Sequence, residues 1–416
     1  MKATLANNSQ PFTQQAFSEQ DKRFMARAIT LAKKGHFTTS PNPRVGCVLV
    51  SYHQGIGKVI GEGYHQKAGQ GHAEVNAIAE AKINNATLIK GAIAYVTLEP
   101  CSHFGRTPPC VKTLIEAEVS HVIAAMVDPN PQVSGKGLAL LEKAGIKVQS
   151  GLLEESARLL NVGFIHKMIN NLPYVRCKLA ASLDGKTAMA SGESQWITST
   201  DARQDVQRLR AQSCAIITGA DSVLFDNAKM TVRWSELGEL KESYPKETLR
   251  QPLRVVIDSQ NRLTPSLALF EHSAPVLLIR AKTESTDKSV GENNDNASLE
   301  KRVKWPHFVE QVALPLVKNI DGKLKVDLKA LLALLAEREF NDVLIESGAQ
   351  LSGAFIEQNL VNELILYQAP KLMGSDGKSL VAMPSINRLA QAKALTISDI
   401  TMVGGDIRIT SQFIQK

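Results

Sequence analysis

The chain lacks any long apolar run. Across its 416 residues nothing approaches the roughly 20 residues that a membrane-spanning helix needs, and residues 1–19 are polar, without the apolar core of a secretion signal. A membrane-spanning protein is thereby disfavoured, and the cytoplasm is the expected compartment. Cysteine is scarce as well. Five residues, an odd number, fit reduced thiols and metal ligation and argue against a disulfide framework. No Gly-x-Gly-x-x-Gly follows a strand-like run, which excludes an ordinary Rossmann dinucleotide fingerprint. Aromatic residues make up only 5% of the chain, and the basic residues are scattered rather than interleaved with them. The net charge of +7 therefore does not describe a nucleic-acid-binding stripe. Residues 1–170 carry 18 Lys and Arg against 12 Asp and Glu, and the rest carries 30 against 29, a distribution that suits a local positive site for a small phosphorylated substrate.

What is present describes two α/β domains. The length favours two or three domains, each with its own core. Phe24, Met25, Ala28, Ile29 and Ala32 recur at helical spacing, and Gly35 stops the pattern before a strand over 45–50. A helix from Ala73, a strand over 94–98, a helix after Pro109, a strand over 122–127 and a helix over 136–144 follow. This alternation predicts a sheet covered by helices. A helical segment over 154–169 leads into Asn170-Asn171-Leu172-Pro173, a turn-forming stretch and the expected boundary. Beyond it come a strand over 174–180, a helix over 200–211, strands over 215–218, 254–258 and 276–280, a helix over 328–337 and a strand over 343–346. The expected division is a polar extension over 1–20, one domain over 21–170 and a second over 171–416. A polar, mixed-charge insertion over about 281–304 is expected to carry no chemistry.

The strongest chemical signal is His72-Ala73-Glu74 followed by Pro100-Cys101 and Cys110. One imidazole and two thiolates make a tetrahedral zinc site whose fourth position stays open to water, the arrangement of a catalytic metal. The metal lowers the pKa of that water towards neutrality. Glu74, two residues after a ligand, is placed to shuttle protons between the water, a ring nitrogen and departing ammonia. The pattern is that of a zinc deaminase with one departure: eight residues, not two, separate the cysteines, so the spacer containing His103 and Pro108-Pro109 must loop out and return. His103 is a second candidate ligand. Two helix starts, at Ala73 and after Pro109, are expected to converge on the metal, where their N-termini favour thiolate. Cys47, Cys177 and Cys214 lie in apolar runs and read as core.

Together with Pro41-Asn42-Pro43, Val45-Gly46, Gly61-Glu62-Gly63-Tyr64-His65, Gly105-Arg106-Thr107-Pro108-Pro109 and Asp128-Pro129-Asn130-Pro131, these residues resemble the bifunctional deaminase/reductase family of riboflavin biosynthesis. The resemblance runs from about Asp21 to the C-terminus. It implies a cytidine-deaminase-like α/β/α domain followed by a dihydrofolate-reductase-like α/β domain, with zinc and NADPH as cofactors. The implied reactions are hydrolytic deamination of a phosphorylated diaminopyrimidine and reduction of its ribosyl chain, and the family also implies a homo-oligomer. On the deaminase side it implies Asn42, His65, Ala73 and Glu74 around the base, with Arg106, Asp128 and Asn130 around the ribose phosphate. Asn42 offers a donor and an acceptor to a pyrimidine edge, and Arg106 an anion grip.

The second domain says less by itself. A strand over 343–346 runs into Ser347-Gly348-Ala349-Gln350-Leu351-Ser352-Gly353, a small-residue turn opening a helix whose free N–H groups suit a phosphate. With Ala180-Ala181-Ser182-Leu183-Asp184-Gly185-Lys186 and Gly192-Glu193-Ser194-Gln195-Trp196, it resembles the family's reductase domain. That resemblance implies NADPH contacts at Ala180, Trp196, Ser222, Asp226, Ser259 and the turn from Gly348 through Ala349, Gln350, Leu351, Ser352 and Gly353 to Ala354. It implies substrate contacts at Ser194, Arg210, Met230, Arg233 and Glu346. Guanidinium forks at Arg210 and Arg233 suit a bidentate grip on phosphate, though each also fits an ordinary ion pair. Lys178 and Asp184 are candidates for managing a proton at the opened sugar. Two other classes fit parts of the pattern: a zinc-dependent nucleic-acid-editing deaminase with an accessory domain, recognised by salt-sensitive RNA or DNA binding, and a non-catalytic zinc module.

Overall fold

Ser18 and Asp21 start the first helix, α1 (Glu19–Lys33), by capping one another. The Ser18 hydroxyl accepts from the Asp21 N–H, and the Asp21 carboxylate accepts from the Ser18 N–H at 2.8 Å. Met25, Ala28, Ile29, Leu31 and Ala32 are its buried residues. The computed structural model describes residues 16–103, 108–131, 133–282, 304–319, 321–384 and 386–414, in two compact units, Met1–Asn170 and Asn171–Lys416. None of the described helices is long and apolar enough to cross a membrane.

In the first unit β1 (Gly46–His53) turns back through Gln54-Gly55, both at positive φ, into β2 (Ile56–Tyr64). The helix α2 (Ala73–Asn84) leads to β3 (Ile93–Val96), α3 (Cys110–Glu116) to β4 (His121–Ala124), and α4 (Lys136–Lys143) to β5 (Lys147–Ser150). The sheet order is β2-β1-β3-β4-β5, with β1 antiparallel to both neighbours and β3, β4 and β5 parallel. The segment expected as one helix over 154–169 is two, α5 (Glu154–Leu160) and α6 (Val162–Asn170). Asn161 breaks it: its side chain accepts from the Arg44 N–H at 2.8 Å and donates to the Arg44 carbonyl at 2.9 Å, tying the helix junction to the lead-in of β1.

The strand β2 was not expected, because its glycines and charges conceal the period-two pattern. Those glycines serve packing. A Cβ on Gly63 would lie 2.3 Å from the Ala73 carbonyl oxygen and 2.4 Å from the Ala77 nitrogen, so only glycine lets α2 rest on the strand. Gly63→Ala should therefore push α2 outward and cost about 1–3 kcal/mol, lowering both the melting temperature and the zinc bound per chain. Unchanged values of both would refute this account of the strand.

The second unit is built on a nine-stranded sheet in the order β11-β10-β9-β8-β14-β6-β15-β18-β17. Its elements are β6 (Tyr174–Ser182), β7 (Lys186–Ala188), α7 (Thr200–Gln212), β8 (Ala215–Gly219), α8 (Ala220–Asp226), α9 (Leu240–Ser243), β9 (Leu253–Ile257), β10 (Val276–Ala281), β11 (Val309–Leu314), the hairpin β12 (Leu316–Lys318) and β13 (Leu324–Val326), α10 (Leu328–Glu337), β14 (Asp342–Glu346), α11 (Ala349–Glu357), β15 (Glu363–Ala369), β16 (Lys378–Ser379), β17 (Leu395–Val403) and β18 (Asp406–Phe413). From β11 to β15 all neighbours are parallel; β18 and β17 close one edge antiparallel. The parallel strands are buried on both faces and read as continuous apolar runs, which is why they were legible in the sequence. The chain leaves β6, builds β8 to β11 outward, then returns to insert β14 between β8 and β6. Such a change of winding direction marks the carboxyl ends of the neighbouring strands as the place where α/β sheets bind ligands. Most of the expected insertion, residues 283–303, lies outside the described residues.

Candidate zinc centre and reductase cleft

His72 is the N-cap of α2 and Cys110 the first residue of α3, so two helix starts do converge. Cys101 arrives from the loop after β3, and its sulfur accepts from the Cys110 backbone N–H at 3.3 Å. His72 Nδ1 lies 3.2 Å from Cys110 Sγ and 3.5 Å from Cys101 Sγ, and the three donor atoms all lie within 4.8 Å of one another. Bonds of roughly 2.1 and 2.3 Å at tetrahedral angles put such donors roughly 3.6 to 3.8 Å apart, so a donor set gathered this closely suits zinc. His103 is exposed and is not among the residues that converge.

The electrostatics follow from burial and proximity. The hydrogen bond from Cys110, with a further one from His72, pulls the Cys101 thiol below its ordinary value against the cost of burial. The same Cys101 contact, and burial, push Cys110 well up. A bound dication would be held by both sulfurs as thiolates, their protons being released on binding. Glu74 is 3% exposed, and burial pushes its carboxyl up to about 7, with the Cys101 charge adding to the effect. A carboxyl near neutrality is suited to accept a proton and return it.

Asn42 and His65 stand beside this centre. Asn42 Nδ2 is 3.1 Å from His65 Nε2, His65 Nδ1 is 3.2 Å from the Gly71 carbonyl, and the His65 ring meets that of His72 edge-on at 5.1 Å. Burial lowers the His65 pKa, which keeps the ring neutral. Ala73 is fully buried beneath. Asp128 accepts from the Asn130 N–H at 2.8 Å, and burial raises its pKa. Asn130 lines an open cleft of about 870 Å³ with Ser102, His103, Lys136 and Lys143. Arg106 lies outside the described residues.

In the second unit the expected cofactor residues gather at the carboxyl ends of parallel strands. Ala180 is near the end of β6, Ser222 and Asp226 are on α8 after β8, and Ser259 follows β9. The segment Gly348 to Ala354 opens α11 after β14, with Gly348 as a cap that makes no side-chain hydrogen bond and Ser352 buried against Ser347 at 2.9 Å. Gly353 is buried, Leu351 and Ala349 are half-buried and Gln350 is exposed. A helix start and three hydroxyl or carboxylate side chains suit a phosphate-bearing dinucleotide. Trp196 is 63% exposed, so it does not fill core; the Arg203 guanidinium lies 4.6 Å from its ring centre. Ser194 is half-buried two residues before it. Met230 is buried in left-handed backbone at φ 53°.

The arginines differ from the phosphate-grip expectation. Arg210 directs its fork at Glu346, Nε to Oε1 at 2.6 Å and Nη2 to Oε2 at 2.9 Å, and donates Nη1 to the Thr231 carbonyl at 2.9 Å. Arg233 makes the same fork with Glu236 at 2.6 and 2.7 Å, on the surface. Two carboxylates thus occupy the guanidinium faces expected to hold phosphate. Lys178 stands opposite Glu346 in the β6–β14 register, and burial lowers its pKa. Asp184 is a loop pin, accepting from Ser182 Oγ and from the Met373 and Gly374 N–H groups at 3.0 and 2.9 Å.

Residues 173–407 match the family described as the RibD C-terminal domain, and residues 18–126 match the cytidine and deoxycytidylate deaminase zinc-binding region. The chain is 47% identical to the riboflavin biosynthesis protein RibD of Escherichia coli over 93% of its own length and 98% of the relative's. The chain belongs to the RibD family. RibD of Haemophilus influenzae is 47% identical over 95% of this chain and 98% of the relative. Among solved structures, RibD of Acinetobacter baumannii matches with a TM-score of 0.80 at 40% identity, covering 95% of this chain and 99% of that one. A deaminase/reductase from Thermotoga maritima matches with 0.77 at 30% identity, covering 95% and 99%. The protein is a bifunctional deaminase and reductase of riboflavin biosynthesis, with zinc and NADPH as its cofactors.

Proposed function

We propose that the first unit deaminates 2,5-diamino-6-ribosylamino-4(3H)-pyrimidinone 5′-phosphate and that the second reduces the product's ribosyl chain with NADPH, in the cytoplasm. The observation that carries this reading is the His72, Cys101, Cys110 triangle with buried Glu74 beside it. Zinc, when held there, supplies the Lewis acidity that makes water reactive at neutral pH. Glu74 takes one proton from the attacking water and gives it to the ring nitrogen, then takes the remaining proton of the added hydroxyl and gives it to the amino group, which leaves as ammonia while the carbonyl forms. Asn42 and neutral His65 orient the pyrimidine edge, and Asp128, Asn130 and Arg106 meet the ribose phosphate. In the second unit the Gly348–Ala354 turn, Ser222 and Ser259 hold NADPH, and Glu346, fixed by Arg210, faces the sugar. The hydride itself is the cofactor's chemistry; the protein aligns donor and acceptor.

Ammonia release and NADPH oxidation, followed separately on the zinc-loaded protein, test the scheme. Ammonia should appear without NADPH, and NADPH should be consumed only after deamination. A chelator should abolish the first and spare the second when deaminated product is supplied. Silence in both assays from folded, zinc-replete protein would overturn the assignment.

We also infer self-association through the outer sheet of the reductase unit. The register shift between Ile397 and Asp399 places Leu395, Ile397, Ile400 and Met402 of β17 on the same face as Ile407, Ile409 and Phe413 of β18. The four β17 residues are 38%, 55%, 62% and 64% exposed. They make a patch on the order of 400 Å², a size that marks an interaction surface, and two such patches with their rims approach the roughly 1,000 Å² a specific interface needs. A second copy related by a twofold axis is the occupant this uncharged, self-complementary face fits. Ile400→Asp should shift sedimentation from dimer to monomer with the melting transitions retained; a wild-type monomer at micromolar concentration would exclude this interface.

A further inference from the structure

We infer that Glu99, which precedes the Pro100-Cys101 pair and carries no assigned role, is a positioning residue that sets the phosphate side of the deaminase cleft in register with the zinc ligands. The inference rests on the deaminase reading above. Glu99 is 5% exposed and has no cation within its reach among the described hydrogen bonds. Its carboxylate is instead held by four backbone donors. Oε2 accepts from Asp128 N and Gly135 N, both at 2.9 Å, while Oε1 accepts from Gly137 N at 2.8 Å and Leu138 N at 3.4 Å. The negative charge therefore sits at the start of α4, whose own cap, Gly135, offers no side chain.

The consequence is geometric. One side chain joins the strand end that delivers Cys101 to both ends of the segment 128–138, which carries Asp128, Asn130 and, on α4, Lys136. A second device reinforces it: a Cβ on Gly137 would lie 2.1 Å from the Pro100 carbonyl oxygen, so α4 rests directly on the backbone beside the ligand. Asn130, Lys136 and Lys143 share a cleft with Ser102 and His103, which follow Cys101 in the chain, and the clamp fixes where that cleft lies relative to the Cys101 loop. Glu99 itself touches neither cleft nor zinc ligand side chains in these contacts. It acts through what it holds.

Glu99→Gln is the discriminating change. A glutamine has one acceptor oxygen and turns its amide N–H groups towards two of the four donors, so one side of the clamp must open. The full-length, zinc-loaded variant is assayed for ammonia release from the phosphorylated substrate and from its dephosphorylated counterpart. The expected result is a KM for the phosphorylated substrate raised about tenfold or more, kcat changed less than about threefold, and little change with the dephosphorylated compound, at full zinc content. The preference for phosphate should fall accordingly. An unchanged preference, or an equal loss on both substrates accompanied by zinc loss, would overturn the inference, because Glu99 would then serve the metal loop or the fold alone. If Glu99→Gln does not fold, Gly137→Ala, which displaces α4 without touching charge, must give the same selective rise in KM or the inference fails. Absence of ammonia from the wild-type protein would instead count against the deaminase reading itself.

Discussion

Glu74→Gln should reduce ammonia release by about 10²–10⁴-fold, the range attributable to a positioned acid–base group, while zinc content and NADPH oxidation of supplied deaminated product stay at wild-type levels. The reasoning is structural. Glu74 is buried at the first turn of α2, two residues after His72, but it is not one of the three donors that converge within 4.8 Å. Removing its ionisable proton leaves the ligand set untouched. Glutamine keeps the volume of a side chain whose neighbours include the fully buried Cys47 and Ala73, so no cavity opens. Zinc analysis, calorimetry and the two separate assays read the result. Loss of zinc from the variant would recast Glu74 as a ligand, and retained turnover would remove it from the chemistry.

The second large effect is expected at Arg210→Met. Arg210 and Glu346 are 12% and 8% exposed at their side chains and bonded twice. Burial alone would raise the Glu346 carboxyl, but the Arg210 charge and hydrogen bonds, with Lys178 helping, hold it below the ordinary carboxylate range. Methionine fills the space and leaves a buried carboxylate without its hydrogen-bonded partner, with only the charges of Lys178 and Arg233 acting on it, a change that typically costs about 3–5 kcal/mol. The sign with pH is defined. In the wild-type protein the depressed carboxyl contributes stability that is complete above its unfolded value of roughly 4.3 and is lost as pH falls towards the folded value. In the variant burial takes over and raises the folded pKa, so Glu346 destabilises as pH rises through and above about 4.3. The gap in melting temperature between the two proteins should therefore be wide at neutral pH and narrow near pH 4, and only the reductase transition should move. NADPH oxidation should fall with it, since Glu346 loses its fixed orientation. A gap independent of pH would show that packing, not the carboxylate, carries the loss.

Legibility followed sequence distance. The zinc donors were readable because a ligating His and Cys are rare, chemically specific residue types, and because the expected helix starts at Ala73 and after Pro109 put two of them at helix N-termini, where the structure has them. The parallel core strands were readable because burial on both faces makes β8, β9 and β14 continuous apolar runs. Strands β2, β5, β15, β17 and β18 were not. In β2 glycines replace the apolar positions wherever α2 presses on the strand, and in β17 a bulge breaks the alternation, so that Ile397 and Ile400 share a face although three residues apart. The expected phosphate grip at Arg210 met a carboxylate 136 residues away, a partner no local pattern names.

By itself, the order of residues determined the α/β class of both halves, the donor types of the metal site and the carboxylate beside it, because these depend on side-chain chemistry and on periodicity within one element. Tertiary structure decided what required two distant segments to meet: the Arg210–Glu346 fork, the four N–H groups around Glu99, the return of β14 between β8 and β6, and the apolar face of the β17–β18 hairpin. The physical reason is the same in each case. A buried charge or an apolar side chain takes its meaning from the groups that replace water around it, and those groups are chosen by the packing of the sheet and not by the neighbours in sequence.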